Sequence, residues 1–297
     1  MTTIRKAVLL FTTFLIAAAP LALAQGTYTQ IDAPGAISTF AYGIDTAGDI
    51  VGQYVDCCYS DHGFLLSGGV YTTIDYPGAS VTGLYGMNDL GQFVGVASNP
   101  NVGFLYASQT QTFTTIAFPK AINTFPTAIN NAGMIAGSSE TGNRGVSVGF
   151  TLVSSKYRAI FPTGAPESTV TAVDAAGKVV GNVSFRQQLH INFLYGHGGF
   201  RHLEIPNAPG AAVEGVNPAG TAYVGYYQPS SGVYAGFLYQ NKTLTALQFP
   251  GSTETVAEGV DAAGEVVGIF ADSSGSFHGF TWTPPADAVK KQQPFGN

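Results

Sequence analysis

Four residues with chemical potential share one recurring place in this 297-residue chain. Three positions before a repeated Asp or Asn stand Tyr42, Tyr85, Thr127, Thr171, Glu214 and Glu258. Two carboxylates from neighbouring repeats, brought into one channel, can share a proton, hold a cation or act as an acid and base pair. They can equally be solvated acids in a wet channel. Glu214 and Glu258 with Tyr42 and Tyr85 are therefore the expected ligand site, placed where the repeats stop resembling one another. No residue is assigned a catalytic role.

Other reactive side chains carry less. Cys57 and Cys58 are adjacent and are the only cysteines. In an exported chain they can form a vicinal disulfide, but adjacent Cα atoms lie about 3.8 Å apart, below the usual disulfide range of roughly 4.4 to 6.8 Å. Two thiols without function are the plain alternative. His62 and His278 share a repeat position, which points to a structural hydrogen bond. His190, His197 and His202 lack the tighter spacing of zinc sites, and of the Cys, Asp or Glu that usually accompany it they have only Glu204 close by. No metal and no cofactor is expected. The chain contains no His-Glu-x-x-His, Walker loop or dinucleotide fingerprint.

The elements that would position these residues are written in the repeats. AYGIDTAGDIVGQY at Ala41 returns as LYGMNDLGQFVGV at Leu84, TAINNAGMIAGS at Thr127, TAVDAAGKVVGNV at Thr171, EGVNPAGTAYVGYY at Glu214 and EGVDAAGEVVGIF at Glu258. Each has Asp or Asn three residues before Gly, from Asp45 and Gly48 to Asp261 and Gly264. That pattern encodes a type I turn closed by a residue at positive φ, hence a β-hairpin. A second Gly follows inside the outgoing strand, at Gly52, Gly95, Gly137, Gly181, Gly225 and Gly268. It reads as the point where neighbouring repeats pack tightly. A second hairpin starts at a Gly-Phe unit such as Gly63 and Phe64, replaced by Asn192 and Phe193 in the fourth repeat, and its returning arm usually runs into Pro. Each repeat thus contributes four short strands.

At the N-terminus Arg5 and Lys6 precede an apolar run that ends in Ala22-Leu23-Ala24. This is the pattern of a cleaved secretory signal over residues 1–24. Cleavage leaves 273 of the 297 residues and, with two cations lost, takes the net charge from −6 to −8. So acidic a chain, only 10% charged, lacks the cationic footprint that nucleic acid or anionic lipid requires. No membrane span is expected after cleavage. The polar tail, residues 284–297, is expected to be disordered.

The turn glycines recur every 42 to 44 residues, a period that fits propeller blades rather than shorter solenoid coils. A strand of the returning-arm type at Tyr28–Ile31 stands alone at the start, and the final strand, His278–Thr283, lacks its returning arm. The expected fold is therefore an all-β, six-bladed β-propeller over residues 25–283, closed by pairing of these two strands so that no long edge is left free.

The chain resembles the bacterial extracellular HAF-repeat proteins. His62-Gly63-Phe64 and His278-Gly279-Phe280 match their middle element, and Thr72 to Gly78 (TTIDYPG) matches the last. The resemblance implies export and a repetitive β fold and carries no reaction or ligand.

The function expected is a monomeric binding or scaffolding module in the periplasm, at the cell envelope or outside it, with an unidentified glycan or protein partner. Tyr59, Tyr76, Tyr226, Tyr227 and Tyr234 are candidates for stacking on sugar or anchoring a partner. One alternative is a glycosidase or lyase using Glu214 and Glu258, which needs carboxyl separations of roughly 5 to 5.5 or 6.5 to 9.5 Å. Another is a purely structural surface protein.

Overall fold

The computed structural model describes residues 26–285 except 100, 143–145, 186–188, 197–198 and 230–231; the side chains of 184, 185, 189 and 190 also stand outside the description. The expected signal and residues 286–297 of the expected tail lie outside the described residues.

Every turn glycine takes the predicted left-handed conformation, with φ between 68° and 86° from Gly48 to Gly264. In the first turn the Asp45 carboxylate accepts from the amides of Ala47 (2.9 Å) and Asp49 (3.0 Å), so the side chain replaces the missing turn partners. The strands follow in chain order. β1 (Thr27–Ile31) precedes β2 (Ser38–Ile44), β3 (Ile50–Val55), β4 (Asp61–Ser67) and β5 (Val70–Thr73). The second repeat gives β6 (Val81–Asn88), β7 (Gln92–Ser98), β8 (Val102–Ala107) and β9 (Thr112–Ile116). The third gives β10 (Ala121–Ile129), β11 (Ile135–Thr141), β12 (Val146–Val153) and β13 (Lys156–Ile160). The fourth gives β14 (Thr169–Val173), β15 (Val179–Phe185), β16 (Leu189–Gly196) and β17 (Gly199–His202). The fifth gives β18 (Ala212–Val216), β19 (Ala222–Tyr227), β20 (Ala235–Gln240) and β21 (Thr243–Leu247). The chain ends with β22 (Glu254–Val260), β23 (Val266–Ala271) and β24 (Phe277–Thr283).

The fold is an all-β propeller, but the expectation of six separate blades is corrected. Four four-stranded sheets stand alone, and the eight strands β2–β9 form a single sheet. The joint is one parallel pair, Asp61 with Val81, between β4 and β6. Gly63 permits the approach of β6, since a Cβ there would stand 3.1 Å from Leu84 and 3.3 Å from Thr82, but Gly103 and Gly149 pack as closely on the repeat that follows them and no ladder crosses there. The first strands still close a ring: β2, β6, β10, β14, β18 and β22 each contact the next, and β22 contacts β2.

Closure is made by the two orphan strands. β1 pairs antiparallel with β24 from Thr27 opposite Thr283 to Ile31 opposite Gly279. The core is a series of apolar slabs between successive sheets, each built round one Phe of the second-hairpin motif. Phe64, Phe104, Phe150, Phe237 and Phe280 are wholly buried and Phe193 nearly so. Each such side chain contributes about 1.5–3 kcal/mol through the area it removes from water. Asn192, the departure from the Gly-Phe pattern, has its own use: its Nδ2 donates to the Ala211 carbonyl (2.7 Å) and its Oδ1 accepts from the Val213 amide (3.1 Å), pinning the next sheet.

The second glycines do something other than expected. A Cβ at Gly52 would overlap the Phe40 carbonyl oxygen of its own sheet and come within 2.7 Å of the Phe64 ring, and Gly95, Gly181 and Gly268 are placed alike. They make room inside a sheet, opposite an irregularity in its first strand. Contacts between successive repeats are made instead by Gly43, Gly86, Gly215 and Gly259, each close to backbone of the next first strand.

Candidate functional site

The irregularity is a β-bulge, and it falls on the same residue in every repeat. The register of the first hairpin shifts between Ala41 and Gly43, Leu84 and Gly86, Pro126 and Ala128, Val170 and Ala172, Val213 and Gly215, and Ala257 and Gly259. The unpaired residues are Tyr42, Tyr85, Thr127, Thr171, Glu214 and Glu258. A bulge frees one residue from the ladder and re-aims its side chain. Here all of them line one central cavity of about 310 Å³ that reaches the hairpin turns.

These residues divide into two kinds. Where the next residue is Ala, the channel residue is a Thr that spends its hydroxyl on the neighbouring sheet: Thr127 Oγ1 donates to the Val170 carbonyl and Thr171 Oγ1 to the Val213 carbonyl, both at 2.9 Å. Where the next residue is Gly, the backbones touch directly and the side chain stays free for the channel. That second group is Tyr42, Tyr85, Glu214 and Glu258, the residues singled out in the sequence, and the structure brings all of them together.

The Tyr42 and Tyr85 rings lie 4.9 Å apart at 36°. Burial raises both hydroxyl pKa values, and for Tyr42 the charges of Tyr85 and Glu258 add to it. Glu214 and Glu258 retain partial surface on the channel, yet the ring encloses them from bulk water. Burial pushes Glu214 up to about 7. Glu258 goes up to about 8, through burial first and the Glu214 charge second. The pair is thus poised to hold a proton near neutrality, because two like charges in a poorly solvated space are costly together.

Two further residues have an electrostatic stake that no repeat pattern signals. Asp61 acts on both Tyr42 and Tyr85, and Tyr226 feels Glu214, Glu258 and Glu254. Asp61 begins β4 and is held by Gln53 Nε2 at 2.8 Å; only the fold brings it near the tyrosines.

The remaining expected residues lie elsewhere. Cys57 and Cys58 are exposed and free, with Sγ atoms 3.7 Å apart. The Asp56 turn holds them, its carboxylate accepting from the amides of Cys58 (2.8 Å) and Ser60 (2.9 Å). His62 bonds Asp75 through Nδ1 at 2.8 Å and faces Asp56 at 3.6 Å. His278 repeats the arrangement with Asp32 (2.8 Å) and Asp272 (3.5 Å), tying the segment after β1 to the last sheet. These are structural clamps. His202 is exposed on β17, while His197 and the side chain of His190 lie outside the described residues. Among the tyrosines Tyr59 is 82% and Tyr234 40% exposed, whereas Tyr227 is 3% exposed and belongs to the core. Tyr76 packs on Phe104 and Phe113 at 5.5 and 5.2 Å, and Tyr226 meets Tyr234 edge-on at 5.5 Å. Among the described residues no helix is long and apolar enough to cross a membrane.

No known family description matches the chain, and no curated protein matches it. Among solved structures it is similar to TolB from Acinetobacter baumannii, at 12% identity and a TM-score of 0.57 over 80% of this chain and 67% of that one. It is also similar to a putative TolB from Agrobacterium tumefaciens, at 12% identity and a TM-score of 0.53 over 69% and 74% of the two chains. AofleA from Arthrobotrys oligospora matches at 12% identity and a TM-score of 0.51 over 90% and 89%. At such identities the likeness shows the fold alone.

Proposed function

We propose that this chain is an exported binding module, of the kind its HAF-like motifs imply, that takes its ligand in the central channel and serves recognition or scaffolding at the cell envelope or outside it. One observation carries the reading. The ring spends Thr127 and Thr171 on its own cohesion and leaves Glu214, Glu258, Tyr42 and Tyr85 facing a cavity of about 310 Å³, a size that suits a small ligand. Keeping two carboxyls enclosed and unneutralised costs stability, a cost that folds retain at binding sites. The basic start, apolar run and Ala-x-Ala site support export.

Two measurements test this. N-terminal sequencing of the chain recovered outside the cytoplasm is expected to begin at Gln25. A thermal-shift screen of saccharides and small metabolites is expected to give hits that E214Q/E258Q abolishes. Hits that the double variant retains would place binding elsewhere, and a screen without hits would leave the scaffolding role alone.

A further inference from the structure

The chemistry of the channel lining narrows the ligand class, on the reading that the channel is the binding site. Among the described residues the cavity wall carries five acidic residues, Asp45, Asp89, Glu214, Glu258 and Asp261, and no Lys, Arg or His. A ligand there meets acidic groups of the first, second, fifth and sixth repeats, while the third and fourth line the cavity with Thr127, Asn130, Asn131 and Thr171. Neither carboxyl is held by a hydrogen bond that would favour its charge: burial acts on Glu214, and burial followed by the Glu214 charge acts on Glu258. The same space is faced by the paired Tyr42 and Tyr85 rings, close enough to Glu258 for its charge to be felt by both.

This mixture discriminates between cations. Calcium takes six to eight oxygens at roughly 2.3–2.6 Å, and among the described residues no group of three or more His, Cys, Asp or Glu is arranged to hold a metal ion. Thr127 and Thr171 already donate their hydroxyls to neighbouring carbonyls. An ammonium group on a carbon skeleton has other requirements: a single positive charge attracted to carboxylates and aromatic faces, and apolar carbon that gains from tyrosine surface.

We propose that the channel binds a small organic ammonium ion, its charged group at Glu214 and Glu258 and its carbon framework against Tyr42 and Tyr85. Binding strengthens with pH as the carboxyl pair gives up its shared proton, while a primary amine stays protonated to roughly pH 10. The other titratable groups facing this space are Asp45, Asp89 and Asp261 at the turns, Tyr226, and Asp61 acting on the tyrosines. The tyrosines remain neutral across that range, since burial raises their pKa values.

The test is isothermal titration of the purified chain with n-butylammonium and tetramethylammonium chlorides, against n-butanol, calcium chloride and sodium chloride at equal ionic strength. Both ammonium ions are expected to bind saturably at pH 8.5, at least tenfold more weakly at pH 5.5, and n-butanol not at all. E214Q/E258Q is expected to weaken ammonium binding at least tenfold, and Tyr42→Leu severalfold, with circular dichroism confirming that each variant is folded. Absence of saturable ammonium binding, or binding unchanged in E214Q/E258Q, overturns the inference. If ammonium fails while calcium or a neutral sugar binds in a manner the double variant abolishes, the ligand class is wrong and the channel site stands. If nothing binds the channel, the inference and the reading of the channel as a ligand site both fall, and the scaffolding role alone is left.

Discussion

Replacing both channel carboxyls by their neutral isosteres is expected to stabilise the protein, by an amount that grows from almost nothing near pH 4.5 to its full value above about pH 8. Burial raises Glu214 from an ordinary value of 4.5 to about 7, and burial with the Glu214 charge raises Glu258 to about 8. The folded chain therefore holds extra protons between about pH 4.5 and 8. The associated stability is fully present below that window and is lost as the pH rises through it. At roughly 1.4 kcal/mol per pH unit, holding Glu214 ionised costs about 3 kcal/mol and Glu258 about 5 kcal/mol. Those figures are ceilings, because both residues keep surface on the channel and water there screens part of the repulsion. About 3 kcal/mol for the pair is a reasonable expectation after such screening. For a chain of this size that corresponds to a rise in Tm of about 6–12 °C for E214Q/E258Q at pH 9, shrinking to within about 1 °C at pH 4.5, where native and variant side chains are both neutral. Differential scanning calorimetry across this range, at fixed ionic strength and without amines in the buffer, measures it. A Tm difference that does not change with pH, or a variant that melts lower at pH 9, would refute the account of an enclosed, proton-sharing pair.

Gly52→Ala is expected to cost about 3 kcal/mol or more, because the new Cβ has no path away from the Phe40 carbonyl and the Phe64 ring. Gly199→Ala, with nothing within 4 Å, should stay within about 0.5 kcal/mol in the same urea melts. Asn130→Ala removes a carbonyl acceptor for the Ala132 and Met134 amides and a donor to the Asp174 carbonyl. A loss of about 2–3 kcal/mol is expected, with faster hydrogen exchange at Ala132 and Met134; unchanged exchange there would show that the side chain does not hold the turn. Titrating the native, reduced protein with a chromogenic disulfide should modify two thiols per chain without unfolding, since Cys57 and Cys58 are both exposed; fewer than two would mean that this loop is covered.

Much of the fold is local, and so was open to reading from the chain. An Asp or Asn three residues before Gly fixes a turn within five residues, and Gly48, Gly91, Gly133, Gly177, Gly220 and Gly264 all adopt the conformation that pattern demands. The orphan strands at either end are visible as a missing partner and an unmatched one, and their pairing follows from the need to cover an edge. The second glycines were assigned to the wrong partner. Their need for close approach is local, but whether the approaching backbone belongs to the same sheet or the next depends on the bulge.

What the amino-acid order determined by itself was the repeat, the hairpins and the position at which Tyr42, Tyr85, Glu214 and Glu258 break the symmetry. Tertiary structure decided that this position is a bulge aimed inward and that Asp61 is felt by both tyrosines. It also decided that the first two repeats fuse through Asp61 and Val81 instead of remaining separate sheets. The physical reason is one of range. Turn and strand preferences act over a few residues along the chain, whereas a raised carboxyl pKa or a single bridging pair depends on atoms that approach only after distant repeats have packed.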